Sequence, residues 1–371
     1  MVLKRFKARS FRNIKECDIT FSEGINLLYG ENAQGKTNAV EGIYMFARGK
    51  SFRAKEEKEL SHFGEAGFSI LIEYLDGDGE NTLEYARYER ERRRKRNGYA
   101  VKSQKEMLGG FRAVLFYPDD LSLVKDSPEE RRAFLNIAIS QIYPVYLDYY
   151  SKYKTCLENR SCIIKNAAKG GYFDEGELIS WSNSMAEYAA EIYLMRKDYL
   201  KKLEKFAAES MAEISLGEEN LTLEYRSDIE KKYEIPENIT KEWVINSYRE
   251  ILTSAYEKEI CAGVTLYGPH RDDVDIMING RSARLYGSQG QQRSSVLSLK
   301  LAEGEVCRLV TGEYPVYLFD DVLSELDEKR RTYILSKIKD KQIIITTCEP
   351  DFEKIKADRV IRVKDGIYEV K

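Results

Sequence analysis

The chain is poor in the residues on which several classes of protein depend. Its 371 residues include only two histidines, His62 and His270, so histidine-based metal binding or acid–base catalysis is not expected. Its six cysteines are scattered and include no C-x-x-C pair, so the sequence predicts neither a zinc site nor a disulfide framework. We therefore expect reduced thiols and a cytoplasmic protein.

Membrane segments and an overall positive charge are also missing. No apolar run approaches the length of a membrane span, and the basic N-terminus lacks the apolar core of a signal peptide, so we expect no membrane association. The formal net charge is −3, so no global positive field predicts nucleic-acid binding. Any such binding must use a local patch.

What the sequence does contain is a complete phosphate-loop motif. The pattern G-x-x-x-x-G-K-[ST] is matched by Gly30-Glu31-Asn32-Ala33-Gln34-Gly35-Lys36-Thr37. An apolar run predicts a strand over residues 25–29, and a helix is predicted from Asn38 to residue 48, which is the context that the motif needs. Backbone N–H groups of such a loop bind phosphate oxygens. We therefore predict an ATP·Mg²⁺ site, with a chance glycine loop as the alternative.

The predicted chemistry assigns separate roles to two side chains of the motif and to a later pair of acids. Lys36 reaches the β- and γ-phosphates, and the Thr37 hydroxyl holds Mg²⁺. A buried strand predicted over residues 316–319 ends in Asp320 and Asp321. Asp320 is the predicted metal-side acid, and Asp321 orients or deprotonates the attacking water. Acidic turns at sheet edges are common, so the two acids alone do not predict a metal site. They do so here because a complete phosphate loop lies upstream.

Hydrophobic periodicity predicts an α/β fold whose nucleotide domain is interrupted by helices. We predict three parts: residues 1–120 with the phosphate loop, residues 121–262 as a helical arm, and residues 263–371 completing the nucleotide domain. Strands are predicted over residues 2–9, 16–21, 68–75, 82–89, 221–226, 273–278, 281–285, 316–319 and 342–347. Helices are predicted over much of residues 127–215, with a turn at Gly170-Gly171, and over residues 241–258 and 294–310.

A third segment, Gly287-Ser288-Gln289-Gly290-Gln291, precedes the last of these helices. By itself it predicts either a polar turn with an N-cap or a second anion-binding loop at a helix N-terminus. It resembles the signature loop of ABC-type ATPases, and Ser324-Glu325-Leu326-Asp327 resembles their D-loop. Arg12-Asn13 resembles a motif of the SMC and Rad50 branch. The resemblance implies an ABC-type ATPase head, with a P-loop α/β core and an antiparallel β subdomain, plus an inserted α-helical arm.

Within that superfamily the chain resembles the RecF family of DNA-repair proteins over nearly its whole length, least strongly between residues 143 and 258. The segments that carry the resemblance, in the family's order, are Ser51-Phe52-Arg53, Phe116-Tyr117-Pro118-Asp119-Asp120-Leu121, Arg131-Arg132-Ala133-Phe134-Leu135, Gly268-Pro269-His270-Arg271-Asp272-Asp273 and the Ser-Gln-Gly-Gln-Gln form of the signature.

The resemblance implies further site residues. Arg12, Asn13, Ser288 and Gly290 join the phosphate loop and Asn38 in binding ATP, with each signature loop serving the partner's nucleotide. Gln291 joins Lys36 and Asp321 as a catalytic residue. Asp321 stands where ABC transporters have a longer glutamate, and Thr346-Thr347 where they have a histidine. These departures imply slow hydrolysis, suited to a timed switch.

The same resemblance implies the biological role. It implies ATP-driven head-to-tail dimerisation on double-stranded DNA near single-stranded gaps, with DNA-stimulated hydrolysis for release. It also implies help for RecA loading with RecR and RecO, in DNA replication, homologous recombination and the SOS response to DNA damage. Without ATP the chain is expected to be monomeric or weakly associated.

A run of six cations and one acid is the candidate DNA contact. Its cations are Arg90, Arg92, Arg93, Arg94, Lys95 and Arg96. They form either a solvated face or a patch that contacts DNA phosphates without reading sequence. Other functions also stay open: an SMC/Rad50-type tethering head, which would need much longer coiled coils, a P-loop kinase for a small substrate, or a non-hydrolysing ATP-gated DNA-binding module.

Overall fold

A computed structural model describes residues 1–348 and 355–370. The strands are β1 (Val2–Phe11), β2 (Ile14–Thr20), β3 (Ile25–Tyr29), β4 (Gly67–Asp76), β5 (Gly79–Tyr88), β6 (Glu91–Arg96), β7 (Tyr99–Ala100), β8 (Ala113–Phe116), β9 (Leu221–Arg226), β10 (Asp273–Ile278), β11 (Arg281–Ser282), β12 (Val316–Asp320), β13 (Ile343–Thr347), β14 (Arg359–Lys364) and β15 (Ile367–Val370). The α-helices are α1 (Lys36–Arg48), α2 (Ser122–Lys125), α3 (Pro128–Ile142), α4 (Val145–Ala168), α5 (Glu175–Ser215), α6 (Asp228–Lys232), α7 (Lys241–Ser254), α8 (Tyr256–Ala262), α9 (Ala283–Tyr286), α10 (Gln289–Thr311) and α11 (Glu328–Ile338).

One sheet carries the phosphate loop and has the order β15-β14-β3-β13-β12-β8. The strands from β14 to β8 are parallel, and β15 pairs antiparallel with β14. Every residue of β12 and β8 is buried, as expected for continuous apolar runs in a parallel sheet covered on both faces. Because β13 lies between β3 and β12, the phosphate loop after β3 and the acid pair at the end of β12 flank the same strand at the carboxyl edge.

A second, antiparallel sheet has the order β2-β1-β4-β5-β6-β7 and packs on α1. Phe6 and Phe11 of β1 lie in the core beneath that helix. Gly42 permits the close approach, since a Cβ there would lie 2.6 Å from the Phe6 ring. The Asn97-Gly98 turn between β6 and β7 has positive φ angles at both residues, as the Asn-Gly pair predicts. The antiparallel subdomain is thus present beside the α/β core.

The helical region is built on α5, which packs against α4, α7 and α10. Its core contains buried tyrosines and small residues, including Tyr146, Tyr153, Ala186 and Ala190. The same hydrophobic cluster continues into β10 and α10. Residues on both sides of position 262 therefore share one core, and the division at 120/121 and 262/263 stays a prediction.

The α/β architecture is confirmed; most predicted boundaries lie within three residues of those in the structure, and three elements differ more strongly. The single helix predicted over residues 241–258 is wrong, because α7 ends at Ser254 and α8 begins at Tyr256. The return strand predicted over residues 281–285 has only two residues before α9 begins at Ala283. The helix predicted from residue 294 begins at Gln289, because the Ser288 side chain caps it.

Candidate nucleotide site

The phosphate loop connects β3 to α1 through two residues in the left-handed region. Ala33 has a φ of 64° and Gly35 a φ of 114°. Gly35 is also needed for space, since a Cβ there would lie 2.9 Å from Asn13 Oδ1. The loop backbone therefore turns sharply into the helix N-terminus, where N–H groups are free of intrahelical partners and favour an anion.

Neighbouring elements hold the carbonyl groups of the loop on its outer side. Asn13 Nδ2 donates to Ala33 O at 2.9 Å, and Tyr368 Oη donates to Gly35 O at 2.8 Å. Gly366 N donates to Gln34 O at 3.0 Å. The turn after β1 and the β14–β15 hairpin thus bind the carbonyls, and the N–H side of the loop remains for a ligand.

Lys36 is almost fully buried within this loop. Its side chain is folded back so that Nζ donates to Gly30 O at 2.7 Å and to Glu31 O at 2.8 Å. These two carbonyls hold a flexible four-carbon side chain in one place. The ammonium group therefore lies against the backbone of the loop in which phosphates would bind.

A hydroxyl and a carboxylate that are far apart in sequence meet beside the loop. Thr37 Oγ1 and Thr346 Oγ1 each donate to Asp320 Oδ1 at 2.8 Å. Burial raises the pKa of Asp320, and the two hydroxyl donors act against that rise. Hard oxygen ligands of this kind suit Mg²⁺, which also binds waters and substrate phosphates. Thr37 and Asp320 would hold Mg²⁺, whose charge would neutralise phosphate oxygens.

Asp321 has a strained backbone next to this corner. Its φ is 54°, in the left-handed region that a non-glycine residue seldom adopts. Its N–H donates to Thr346 Oγ1 at 3.0 Å, and its carbonyl accepts from Ser324 Oγ at 2.8 Å. Thr346 therefore contacts both residues of the pair, the carboxylate of Asp320 and the backbone N–H of Asp321.

Glu41 is a site residue that the sequence analysis missed. It is fully buried on α1, and its carboxylate accepts from Arg12 Nε at 3.0 Å and from Arg12 Nη2 at 2.7 Å. Ser51 Oγ also donates to it, and Arg53 Nη1 lies 3.8 Å away. Arg12 is thus bound by a partner 29 residues later in the chain, and no local sequence signal marked that pairing.

An open groove of about 600 Å³ adjoins the loop on the side of Arg12. Phe63 stands at this groove with 99% of its side chain exposed. Asn38 lines it too, and donates through Nδ2 to Asn13 Oδ1 at 2.6 Å. The groove therefore offers polar groups and one exposed aromatic ring beside the phosphate loop.

The predicted signature residues form the exposed beginning of α10. Ser288 Oγ accepts from Gln291 N at 3.2 Å, and Gln291 Oε1 accepts from Ser288 N at 2.9 Å, which is a capping box. Gly290 follows Ser288 in the first turn. In the described part of the chain, no hydrogen bond joins residues 287–291 to residues 30–37.

The arginine-rich run forms the strand β6 except for Arg90, which lies in the preceding turn. The side chains of β6 alternate between the two faces of the antiparallel sheet. Acidic partners offset three of its cations: Arg92 with Glu57 at 2.7 Å, Lys95 with Glu84 at 3.1 Å and Arg93 with Glu91 at 3.4 Å. Arg94 packs over the Tyr85 ring. The six cations therefore do not form one continuous patch, and DNA contact by Arg90, Arg92, Arg93, Arg94, Lys95 and Arg96 stays a prediction.

Comparison with known proteins agrees with this geometry. The RecF/RecN/SMC N-terminal domain family matches residues 2–368. The DNA replication and repair protein RecF of an Exiguobacterium strain is 39% identical over 374 residues, covering 100% of this chain and 99% of the relative. The chain belongs to the RecF family. The RecF of Bacillus subtilis is 36% identical over 370 residues, covering 99% of each chain.

Solved structures extend the relation to the fold. The recombination mediator protein RecF–ATP of the RecFOR pathway superposes with a TM-score of 0.92 and 35% identity, covering 100% of this RecF-family chain and 97% of that chain. An SMC head bound to the C-terminal winged-helix domain of ScpA shares the fold, with a TM-score of 0.57 and 16% identity. The predicted family and the ABC-type ATPase head are confirmed. None of the helices in residues 1–348 and 355–370 has the length and apolarity to cross a membrane.

Proposed function

We propose that this RecF-family chain is an ATP-dependent DNA-binding protein of recombinational repair and replication restart. One observation supports the nucleotide site most directly: Thr37 Oγ1 lies 2.8 Å from Asp320 Oδ1, although 283 positions separate the two residues in sequence. A complete phosphate loop beside a buried acid, at the end of another strand of the same sheet, is the arrangement that P-loop ATPases use for ATP and Mg²⁺.

Each part of the site takes a defined role toward ATP. Gly30 N donates to Thr347 O at 3.4 Å, so the phosphates bind to N–H groups later in the loop. These backbone N–H groups and the Lys36 ammonium bind the β- and γ-phosphates. Asn13 and Asn38 support the loop and line the groove, with Arg12 anchored on Glu41. The adenosine part lies in that groove, where Phe63 supplies a surface for stacking.

Hydrolysis is slow and acts as a timer. Asp321 orients the attacking water, and Gln291 of the partner's signature loop assists it. The aspartate has a shorter reach than a glutamate and is held by a strained backbone. Catalysis therefore depends on positioning and on charge stabilisation at the γ-phosphate.

Two copies close head-to-tail around two ATP molecules. Ser288 lies at the exposed N-terminus of a 23-residue helix, and among the residues that the structure describes it makes no hydrogen bond to its own phosphate loop. A two-fold dimer would let the signature loop of each chain complete the partner's site. ATP thereby favours the dimer by binding it more tightly than it binds the monomer.

The closed dimer binds double-stranded DNA near single-stranded gaps. This binding stimulates its ATPase activity. Together with RecR- and RecO-type mediators, the dimer helps RecA loading. The related RecF–ATP structure, described as a recombination mediator in the RecFOR pathway, supports this assignment. The cytoplasm is the compartment that goes with this role.

Sedimentation of the full chain with gapped double-stranded DNA tests the proposal. We expect dimers on DNA with ATP and monomers with ADP, and an ATPase rate that rises when gapped DNA is added. Equal sedimentation in ATP and ADP would contradict the ATP-driven dimer. A phosphorylated small-molecule product would instead favour the P-loop kinase.

A further inference from the structure

Arg330 connects the D-loop to the signature loop within one chain. It lies in the first turn of α11, directly after the D-loop (residues 324–327). Its Nη2 donates to Gly290 O at 3.0 Å and its Nε donates to Ser294 Oγ at 3.0 Å, both in the first turns of α10. Its third nitrogen pairs with Asp327, the N-cap residue of α11. One planar guanidinium group therefore spans both loops.

Gly290 and the Arg330 guanidinium lie close together. A Cβ at position 290 would lie 3.1 Å from Arg330 Nη2, so a side chain there would require the guanidinium to shift by a few tenths of an ångström.

A second arginine joins the same two segments. Arg293 Nη1 of α10 donates to Glu325 O of the D-loop at 3.0 Å. At the other end of the D-loop, Ser324 Oγ donates to Asp321 O at 2.8 Å. Hydrogen bonds and short stretches of backbone thus run without a gap from Asp321, beside the Mg²⁺-side acid, to the first turns of α10.

We propose that Arg330 is a positioning residue that fixes the position of the signature loop relative to the D-loop of the same chain. This inference rests on the proposed ATP-driven dimer. Each chain then links the metal side of its own nucleotide site to the loop that serves its partner's nucleotide. The state of one site thereby affects the geometry of the other.

The chemistry of the side chain fits this role. The guanidinium group is planar and offers donors in fixed directions, so its contacts to Gly290, Ser294 and Asp327 restrict the relative orientation of two helices. A lysine in its place offers a single ammonium group and cannot hold the same plane.

The test compares Arg330→Ala with Lys329→Ala, which removes the same charge from an exposed neighbour on the same helix. We expect Arg330→Ala to keep the ATP affinity of the monomer within about twofold. Its ATP-driven dimer should weaken by roughly tenfold to a hundredfold, the size of effect seen when hydrogen bonds to a charged group are lost. Lys329→Ala should match the unmodified chain in both measurements. Equal dimer dissociation constants for the two variants, measured by sedimentation in ATP, would overturn the inference.

Two milder variants keep the test decisive if Arg330→Ala does not fold. Ser294→Ala removes one acceptor and should weaken the dimer in the same direction by a smaller factor. Arg330→Lys should recover part of the dimer stability that Arg330→Ala loses. If Arg330→Ala does not fold, the Arg330→Lys dimer should still be weaker than the dimer of the unmodified chain. Unchanged dimerisation in both variants would refute the role of Arg330, whereas failure of the unmodified chain to dimerise in ATP would refute the proposed function itself.

Discussion

Replacing Lys36 with methionine removes the one positive charge that lies within the phosphate loop. The substitution keeps a long, unbranched side chain, so the packing of α1 changes little. Without Lys36, the carbonyls of Gly30 and Glu31 lose their donor. Glu31 is exposed and Gly30 half-buried, so water can replace that donor, and we expect little loss of fold stability.

The loss of ATP affinity follows from the contacts of the ammonium group. Each hydrogen bond between a charged donor and a phosphate oxygen contributes about 1.5–3 kcal/mol. The ammonium has three N–H donors, so binding both the β- and γ-phosphates requires it to release at least one of its bonds to Gly30 O and Glu31 O. The net gain is then about one such bond, so the substitution should cost about 1.5–3 kcal/mol, and ATP affinity should fall by roughly tenfold to a hundredfold.

Isothermal titration of ATP into the Lys36→Met chain measures this loss directly. Lys15→Met, a substitution of an exposed lysine on β2, is the matched control and should bind ATP like the unmodified chain. Thermal unfolding of both variants separates binding from stability. An ATP affinity of Lys36→Met within about twofold of the control would refute the assignment of the phosphate loop.

Three further substitutions test other parts of the molecule. Asp321→Asn should slow steady-state ATP hydrolysis and prolong the ATP dimer, and an unaltered turnover rate would remove its role. Burial raises the pKa of Glu303 from its ordinary 4.5 to about 7, so the fold loses about 3 kcal/mol as pH rises between those values. Glu303→Gln should therefore match the unmodified chain in urea unfolding at pH 4.5 and exceed it at pH 8; equal stability at both pH values would contradict this. Arg93 is 79% exposed and pairs with Glu91 at 3.4 Å, whereas Arg92 is 51% exposed and pairs with Glu57 at the shorter distance of 2.7 Å. Arg93→Gln should therefore weaken binding to gapped DNA and lower the slope of log K against log salt by about 0.9, and Arg92→Gln should change both quantities less. Identical salt slopes for all three chains would exclude Arg93 as a phosphate contact.

The sequence was sufficient where local pattern and long-range structure agree. The phosphate loop is a contiguous motif between a strand and a helix, so its conformation could be predicted from residues 25–48 alone. The Asn97-Gly98 turn likewise depends on two neighbouring residues that tolerate positive φ angles. Runs of β-branched and aromatic residues also predicted the strands β12 and β13, and the structure shows that the two pair in parallel.

The parts that sequence did not predict depend on contacts between distant residues. Glu41 is charged and lies in an amphipathic helix, so nothing local indicated that it is fully buried against Arg12. Thr346 was noted only as a substitute for histidine, yet it binds both Asp320 and Asp321. The break between α7 and α8 at Ala255 has no glycine or proline to mark it.

The side chains of β6 show a further difference between the sequence pattern and the structure. From the sequence, six cations in seven residues formed either a solvated face or one basic patch, but a strand directs neighbouring side chains to opposite faces. Pairing of Arg92 with Glu57 also depends on a residue 35 positions earlier in the chain. Charge patterns along a sequence therefore do not translate directly into charged surfaces on a sheet.

Mixing two inactive chains is the most direct test of a nucleotide site shared between copies. Lys36→Met lacks the loop cation, and Ser288→Arg blocks the opposing signature loop. In a head-to-tail heterodimer, one site combines both defects and the other combines intact Lys36 with intact Ser288. We predict that neither variant alone hydrolyses ATP and that an equimolar mixture recovers ATPase activity from one site per heterodimer. A mixture as inactive as the separate chains, although each binds its expected ligands and remains folded, would contradict the shared site.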